Sequence, residues 1–272
     1  MKWQDFELTF NRALRFSFSR KKLLFTFPAL VLCGFIAVIF RTLSIPAGGW
    51  AVFSFAFIPL FLCATVLLSL GIILVRLYHH EVKGLPVGLR KTVQGSSELV
   101  VNAIYFALPF LLTYLILWIF LGLFYLFKAI PVVGIFIKVV LSFGPFLLVL
   151  GSLLLGLLNI LFLFFATPAI ALKSAVRPQI AEEVFRLCGR SPFSSIALFL
   201  FGLLPSLFVA ILLSLAAVLT GIFYLERGSS LSTPFEWFFI MVPFAAILTP
   251  AVIFFFNFAA ESFAWMQRRA TS

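Results

Sequence analysis

An all-α, polytopic transmembrane helix bundle with six spans is the fold class this chain predicts, and three observations predict it. Hydrophobic residues make up 63% of the 272 and charged residues 11%, with a mean hydropathy of +1.19. A soluble domain carries about 45–50% apolar and about 25% charged residues, so the polar surface here is too small to cover a water-facing globule. The apolar residues are also gathered into six continuous stretches, each able to cross the ~30 Å hydrocarbon core as a helix of about 20 residues. Continuous apolarity selects helices over barrel strands, which alternate in short segments. Finally, the density of basic residues alternates from one connection to the next, which gives the bundle a direction.

The spans read as Leu23–Phe40, Trp50–Tyr78, Leu99–Phe127, Val139–Leu172, Ser194–Leu225 and Glu236–Trp265. Only the first is near the minimum length; the others must tilt, kink or run past the bilayer. The whole of 1–272 reads as one integral membrane domain. Residues 1–22 form a leader too long for the charged region of a usual signal peptide, and no small-x-small cleavage pattern follows the first apolar stretch, so that stretch is expected to be a retained span.

Of the 20 Lys and Arg residues, only Arg41, Lys128, Lys138 and Arg227 fall on one side of this layout. All the others sit in the leader, the second and fourth connections and the C-terminal segment. Because the connections are short, the positive-inside rule places that basic side, with both ends of the chain, in the cytoplasm. It also accounts for the net charge of +11. The partners this implies are anionic lipids on the cytoplasmic side, and a membrane-protein partner or a second copy is a further expectation. Nucleic acid is not, because no soluble basic domain presents the charge.

In the leader, Trp3, Phe6, Phe10, Ala13, Leu14 and Ser17 recur at spacings of three and four, opposite Gln4, Asn11, Arg12, Arg15 and Ser19. Such a helix lies in the membrane interface. It reads either as an anchor that positions the first span or as a docking or lipid-sensing element. The basic segments Leu85–Glu98 and Ile180–Pro192 resemble it in arrangement. Each of the three leads into an outgoing span with an early proline (Pro28, Pro109, Pro205), and each returning span has another (Pro59, Pro145, Pro243). The layout reads as three helical hairpins, each preceded by an interfacial amphipathic helix. Two-helix units restore the starting side, which argues against the inverted repeats of many secondary transporters.

A family likeness is carried by Thr167-Pro168-Ala169-Ile170-Ala171-Leu172-Lys173, followed by Ala181-Glu182-Glu183-Val184-Phe185-Arg186-Leu187-Cys188-Gly189-Arg190-Ser191-Pro192-Phe193. Here a span ends near a proline, a short amphipathic helix with arginines follows, and a new span begins. This resembles the membrane domain associated with glycerophosphoryl diester phosphodiesterases and related six-helix bacterial membrane families of unknown function. The likeness covers Thr167–Pro205 and elsewhere only the layout; Glu183 and Val184 stand where the pattern has small residues. The resemblance implies a bacterial inner-membrane location and carries over no active-site residue. No connection between spans is long enough to fold into a phosphodiesterase domain.

Ionisable residues deep in spans are the usual markers of membrane chemistry, and few are legible. Glu261 lies one turn after Asn257, on the same face. The pair reads either as polar groups in a substrate path or as a helix end reaching the interface, with Trp265 and Arg268 beyond. Asn159 shares a face with Ser152 and Gly156, as an interhelical hydrogen bond at a close contact or as a ligand contact. Small residues form stripes, Ser206, Ala210, Ser214, Ala217 and Gly221 in the fifth span and Ala29, Cys33 and Ala37 in the first, as expected where backbones approach within the bundle. Cys33, Cys63 and Cys188 read as small apolar residues rather than a disulfide framework. His79 and His80 are adjacent and have no second ligand cluster, so no metal site is expected. Gly-x-Ser-x-Gly, His-Glu-x-x-His and phosphate-loop patterns do not occur, nor does a pair of buried carboxylates for acid–base work.

The function expected from the sequence is therefore a structural, accessory or membrane-organising protein with no catalytic, cofactor or metal residues. The alternative is a transporter or permease for a lipid-like or weakly polar small molecule. A wet central cavity lined by Asn159, Asn257 or Glu261 would favour transport, and a dry, filled core the structural reading.

Overall fold

The computed structural model describes residues 3–47, 51–85, 89–128, 133–173, 192–220 and 232–271, with isolated positions 182, 184, 186 and 189. Most of the basic segment Ile180–Pro192, with Cys188, and also Trp50, Gly221 and Arg227, lie outside the described residues. All regular structure among the described residues is helical. The elements are α1 (Trp3–Arg15), a single 3₁₀ turn (Phe16–Phe18), α2 (Arg20–Ala47), α3 (Ala51–Val82), α4 (Leu89–Gln94), α5 (Ser97–Lys128), α6 (Val133–Lys173), α7 (Pro192–Leu219) and α8 (Ser232–Thr271).

Six of these helices, α2, α3, α5, α6, α7 and α8, are long and apolar enough to cross a membrane. The first is longer than its apolar stretch suggests: 28 residues, or about 42 Å at 1.5 Å per residue. Its first turn is built from Arg20, Lys21 and Lys22. Prolines 59, 109, 205, 243 and 250 all sit inside helices, a placement that neighbouring helices and Ser/Thr hydroxyls allow in membrane spans. The Thr113 hydroxyl, for instance, donates to the Pro109 carbonyl at 2.7 Å.

Successive long helices run in alternating directions. Lys22 at the start of α2 meets Glu81 at the end of α3. Arg76 of α3 reaches Ala171 at the end of α6 and Ser96 at the start of α5. Ser195 at the start of α7 contacts Met266 near the end of α8. One end of the bundle thus gathers the starts of α2, α5 and α7 and the ends of α3, α6 and α8. Contacts join α2 to α3, α5 to α6 and α7 to α8, and also α2 to α8 and α3 to α6.

The central helix is α3. Half of its most apolar stretch is buried inside the protein, against 17% for α2, α5 and α7. The core lies toward the shared end, where Leu68–Tyr78 of α3, Leu163–Ala171 of α6 and Ile253–Met266 of α8 meet. Phenylalanine fills it: Phe164 packs edge-on against Phe199 and Phe255, and Phe254 stacks on Phe258 at 5.6 Å. Glycines set the closest approaches. A Cβ at Gly71 would overlap the Phe256 ring, and one at Gly202 would press into Phe164 and Phe258. In the small-residue stripe of α7, Ser206 donates to the Ala251 carbonyl and Ala217 is buried, while Ala210 and Ser214 are exposed. Only part of that stripe therefore serves internal packing. Many large apolar side chains of α5, α6 and α7 face outward, among them Phe120, Leu153 and Phe208, as a lipid solvent requires.

The amphipathic leader is present as α1, and its apolar face is covered by the chain's own helices. Phe6 lies 4.7 Å from Phe201 and Phe10 lies 5.0 Å from Phe254, centroid to centroid. Ala13 and Ser17 are fully buried, whereas Leu14 is exposed. The chain then turns at Ser19, whose extended backbone (φ −64, ψ 122) separates the 3₁₀ turn from α2.

Candidate functional site

A continuous polar cluster lies where the leader meets α2, α3 and α8. It begins with Lys22. Successive helical residues point about 100° apart, so in the run Arg20-Lys21-Lys22 the first two are exposed while Lys22 turns inward with Thr26, one turn on; both are fully buried. Lys22 Nζ lies 2.6 Å from Glu81 Oε2 and donates to Asn257 Oδ1 at 3.3 Å and to the Phe16 carbonyl at 3.4 Å. Two of the three ammonium donors thus go to neutral oxygens, and the charge is paired with Glu81. The charge also sits 4.9 Å from the centroid of the Tyr78 ring, an attractive cation–π placement.

Each partner is held in turn. The other Glu81 oxygen accepts from the Ser19 hydroxyl at 3.2 Å. The Asn257 amide nitrogen donates to the Ala13 carbonyl at 3.3 Å and to Ser17 Oγ at 3.4 Å, while Ser17 donates to the Ala13 carbonyl at 2.7 Å. Asn257 thus ties α8 both to the leader and to Lys22. The Tyr78 hydroxyl donates to Glu261 Oε1 at 2.6 Å, and Arg12 Nη1 lies 3.5 Å from that same oxygen. Two ion pairs, Lys22–Glu81 and Arg12–Glu261, therefore flank Tyr78. The first is buried; the second is partly open, with the Arg12 side chain half exposed. The turn that ends α3 helps place Glu81. Gly84, at φ 66, and Leu85 return their amides to Glu81 and His80, the left-handed glycine termination common at helix ends.

Arg76, one turn before His80, forms a second tie. Its Nε donates to the Ala171 carbonyl at 3.1 Å and its Nη1 to the Gly95 carbonyl at 2.7 Å and to Ser96 Oγ at 3.1 Å. It thereby links the end of α6 to the α4–α5 turn and satisfies carbonyls that a helix end leaves open.

Of the three polar positions singled out in the sequence, the structure brings Asn257 and Glu261 into this cluster, where they reach different partners. Asn159 is apart from it. It is buried in α6, two turns on from fully buried Ser152, and Gly156 on the same face abuts Leu60 of α3. Lys22, Tyr78 and Glu81 are the members that sequence reading missed; Lys22 falls among the basic residues of the leader. The spacing Lys22–Thr26, with the first span's apolar residues following on the same face, was the available signal. Cys33 and Cys63 face one another where α2 crosses α3, the Cys63 thiol 3.5 Å from the Cys33 carbonyl.

Among the described residues, clefts border the bundle. One is lined by Leu8, Arg12, Glu261 and the last turns of α8, a second by Arg15, Arg20, Lys21 and Glu81, and a third, wholly apolar, by Phe35, Val38, Phe238 and Phe239. Neither Asn159 nor Asn257 lines any of them. Among the described residues no group of His, Cys, Asp and Glu could hold a metal ion.

The six apolar helices define an integral, multi-pass membrane protein. No protein-family model matches the chain, no curated protein matches it in sequence, and no solved structure matches it in fold.

Proposed function

We propose that this is a structural or accessory protein of the membrane, without enzymatic activity, whose helices form a stable body for organising lipid or supporting a partner. The observation that carries this reading is the state of Asn257. The most deeply placed polar side chain of the sequence-predicted path is fully buried, with its oxygen committed to Lys22 and its nitrogen to the leader. We place the end that holds the leader in the cytoplasm, from the distribution of basic residues, in a bacterial inner membrane, from the likeness of Thr167–Pro205 to the phosphodiesterase-associated membrane domain. The three-hairpin layout, each hairpin led by an interfacial helix, belongs to the same proposal.

A second reading, a transporter for a lipid-like or weakly polar compound, is favoured by one observation. A buried Lys–Glu pair within membrane spans is a common coupling device, and Lys22–Glu81 is such a pair. Reconstitution separates the two. Purified protein in vesicles carrying a pH gradient and a membrane potential is expected to pass no more protons than protein-free vesicles, read with an entrapped pH dye. Proton flux that disappears in Lys22→Met at equal incorporation would transfer the assignment to the transporter.

A further inference from the structure

Where α2 crosses α3, two of the chain's three cysteines meet. The Cys63 thiol lies 3.5 Å from the Cys33 carbonyl oxygen, and the Cys33 thiol lies 4.0 Å from the Cys63 carbonyl oxygen. Each sulfur reaches across to the other residue's main chain, and the two thiols also interact with each other. Both side chains thus occupy one gap between two backbones. A disulfide needs that facing arrangement, since cysteines whose side chains point apart are bridged only by moving the backbone. The small-residue face of α2 provides the gap: Ala29 and Ala37 stand about one turn before and after Cys33 and let α3 approach.

Both cysteines are free thiols, and both are only partly buried. Cys33 stands midway along the 28 residues of α2. Wherever a crossing of about 20 residues is placed on that helix, it includes the middle and hence Cys33. A fully buried cysteine is inert because reagents do not reach it. This pair is open to a reagent dissolved in lipid, while a water-soluble disulfide is kept out by the hydrocarbon.

We propose that Cys33 and Cys63 are a redox site that a lipid-soluble quinone oxidises to a disulfide. Two S–H bonds break and one S–S bond forms, and the two electrons and two protons reduce the quinone to its quinol. The disulfide ties α2 to α3 across 30 positions of the chain. A dithiol returns two electrons and two protons and restores both thiols. The site stands whether the protein is an accessory body or a transporter.

Thiol alkylation tests it. Reduced protein in vesicles is treated with duroquinone, whose fully methylated ring leaves no position for thiol addition, or with oxidised glutathione. It is then denatured, alkylated and mapped by mass spectrometry. Duroquinone should remove the label from Cys33 and Cys63 and leave it on Cys188, with a peptide joined through Cys33 and Cys63; dithiothreitol should restore all three labels. Oxidised glutathione should leave Cys33 and Cys63 labelled. Full labelling of the pair after duroquinone overturns the redox site, and a bond that includes Cys188 overturns the pairing. Equal closure by oxidised glutathione overturns the lipid-soluble oxidant. In detergent, the closed form should unfold at a higher Tm than the reduced form, because a cross-link constrains the unfolded chain. Cys33→Ala, a small residue for a small residue, should lose that difference; an equal rise in this variant overturns the cross-link.

Discussion

The two ends of the bundle are held in different ways. At the end where the leader docks, a buried ammonium, two carboxylates, an amide and a phenol are joined across four chain segments, and Arg76 straps two more. At the other end, α2 and the start of α8 meet through apolar side chains around an open cleft of about 530 Å3. Phe35 touches Phe238 edge-on at 5.7 Å, and Phe235 and Phe239 are two-thirds exposed. The Arg41 guanidinium lies 5.9 Å from the centroid of the Trp237 ring there. Between helices in lipid there is no hydrophobic driving force, because hydrocarbon tails are as apolar as leucine. Helix order and orientation must then come from close packing and polar bonds. Among the described residues, both are concentrated at the end where the leader docks.

The contrast can be broken most directly at Lys22. Replacing it with methionine leaves Glu81 without its counter-charge, and loss of one partner of a buried pair costs about 3–5 kcal/mol. Denaturant unfolding in detergent should show that loss, and Lys22→Met with Glu81→Leu should recover much of it. A double variant no better than the single would mean that Glu81 is served by other groups. Next in size is the packing contrast between two glycines. Gly71→Ala drives a methyl into the buried Phe256 ring and is expected to cost about 1–3 kcal/mol. Gly151→Ala meets only Leu117, at 3.7 Å, and should be nearly neutral. Equal Tm changes in the two would remove glycine approach as the reason α3 and α8 pack closely. The smallest effect belongs to the open end. Phe239→Ala, on a side chain 69% exposed, should change stability by no more than about 0.5 kcal/mol; a larger loss would show that end to be as tightly specified as the other.

The six apolar spans and the leader's amphipathic period were legible because each follows from local composition. The candidate site was legible only in part. Asn257 and Glu261 stood out as polar residues in apolar surroundings, readable either as a substrate path or as a helix end reaching the interface. Their partners were hidden for identifiable reasons. Lys22 adjoins Arg20 and Lys21, so it reads as one more topological charge, and only its angular offset on α2 turns it inward. Glu81 stands beside His79 and His80 in what reads as a polar connection. Tyr78 reads as the interfacial end of its span. The leader's apolar face was visible, but whether lipid or protein covers it depends on where α8 and α7 lie.

Composition, hydropathy and the spacing of basic residues by themselves determined that this chain is a six-helix membrane protein, since transfer into hydrocarbon depends on each stretch alone. Only the tertiary structure decided that the leader closes one end of the bundle, that Lys22 is buried against Glu81, and that three arginines from two elements face one cleft. These features pair residues separated by as many as 249 positions, as Arg12 and Glu261 are, and a buried charge is tolerable only once all of its partners have arrived.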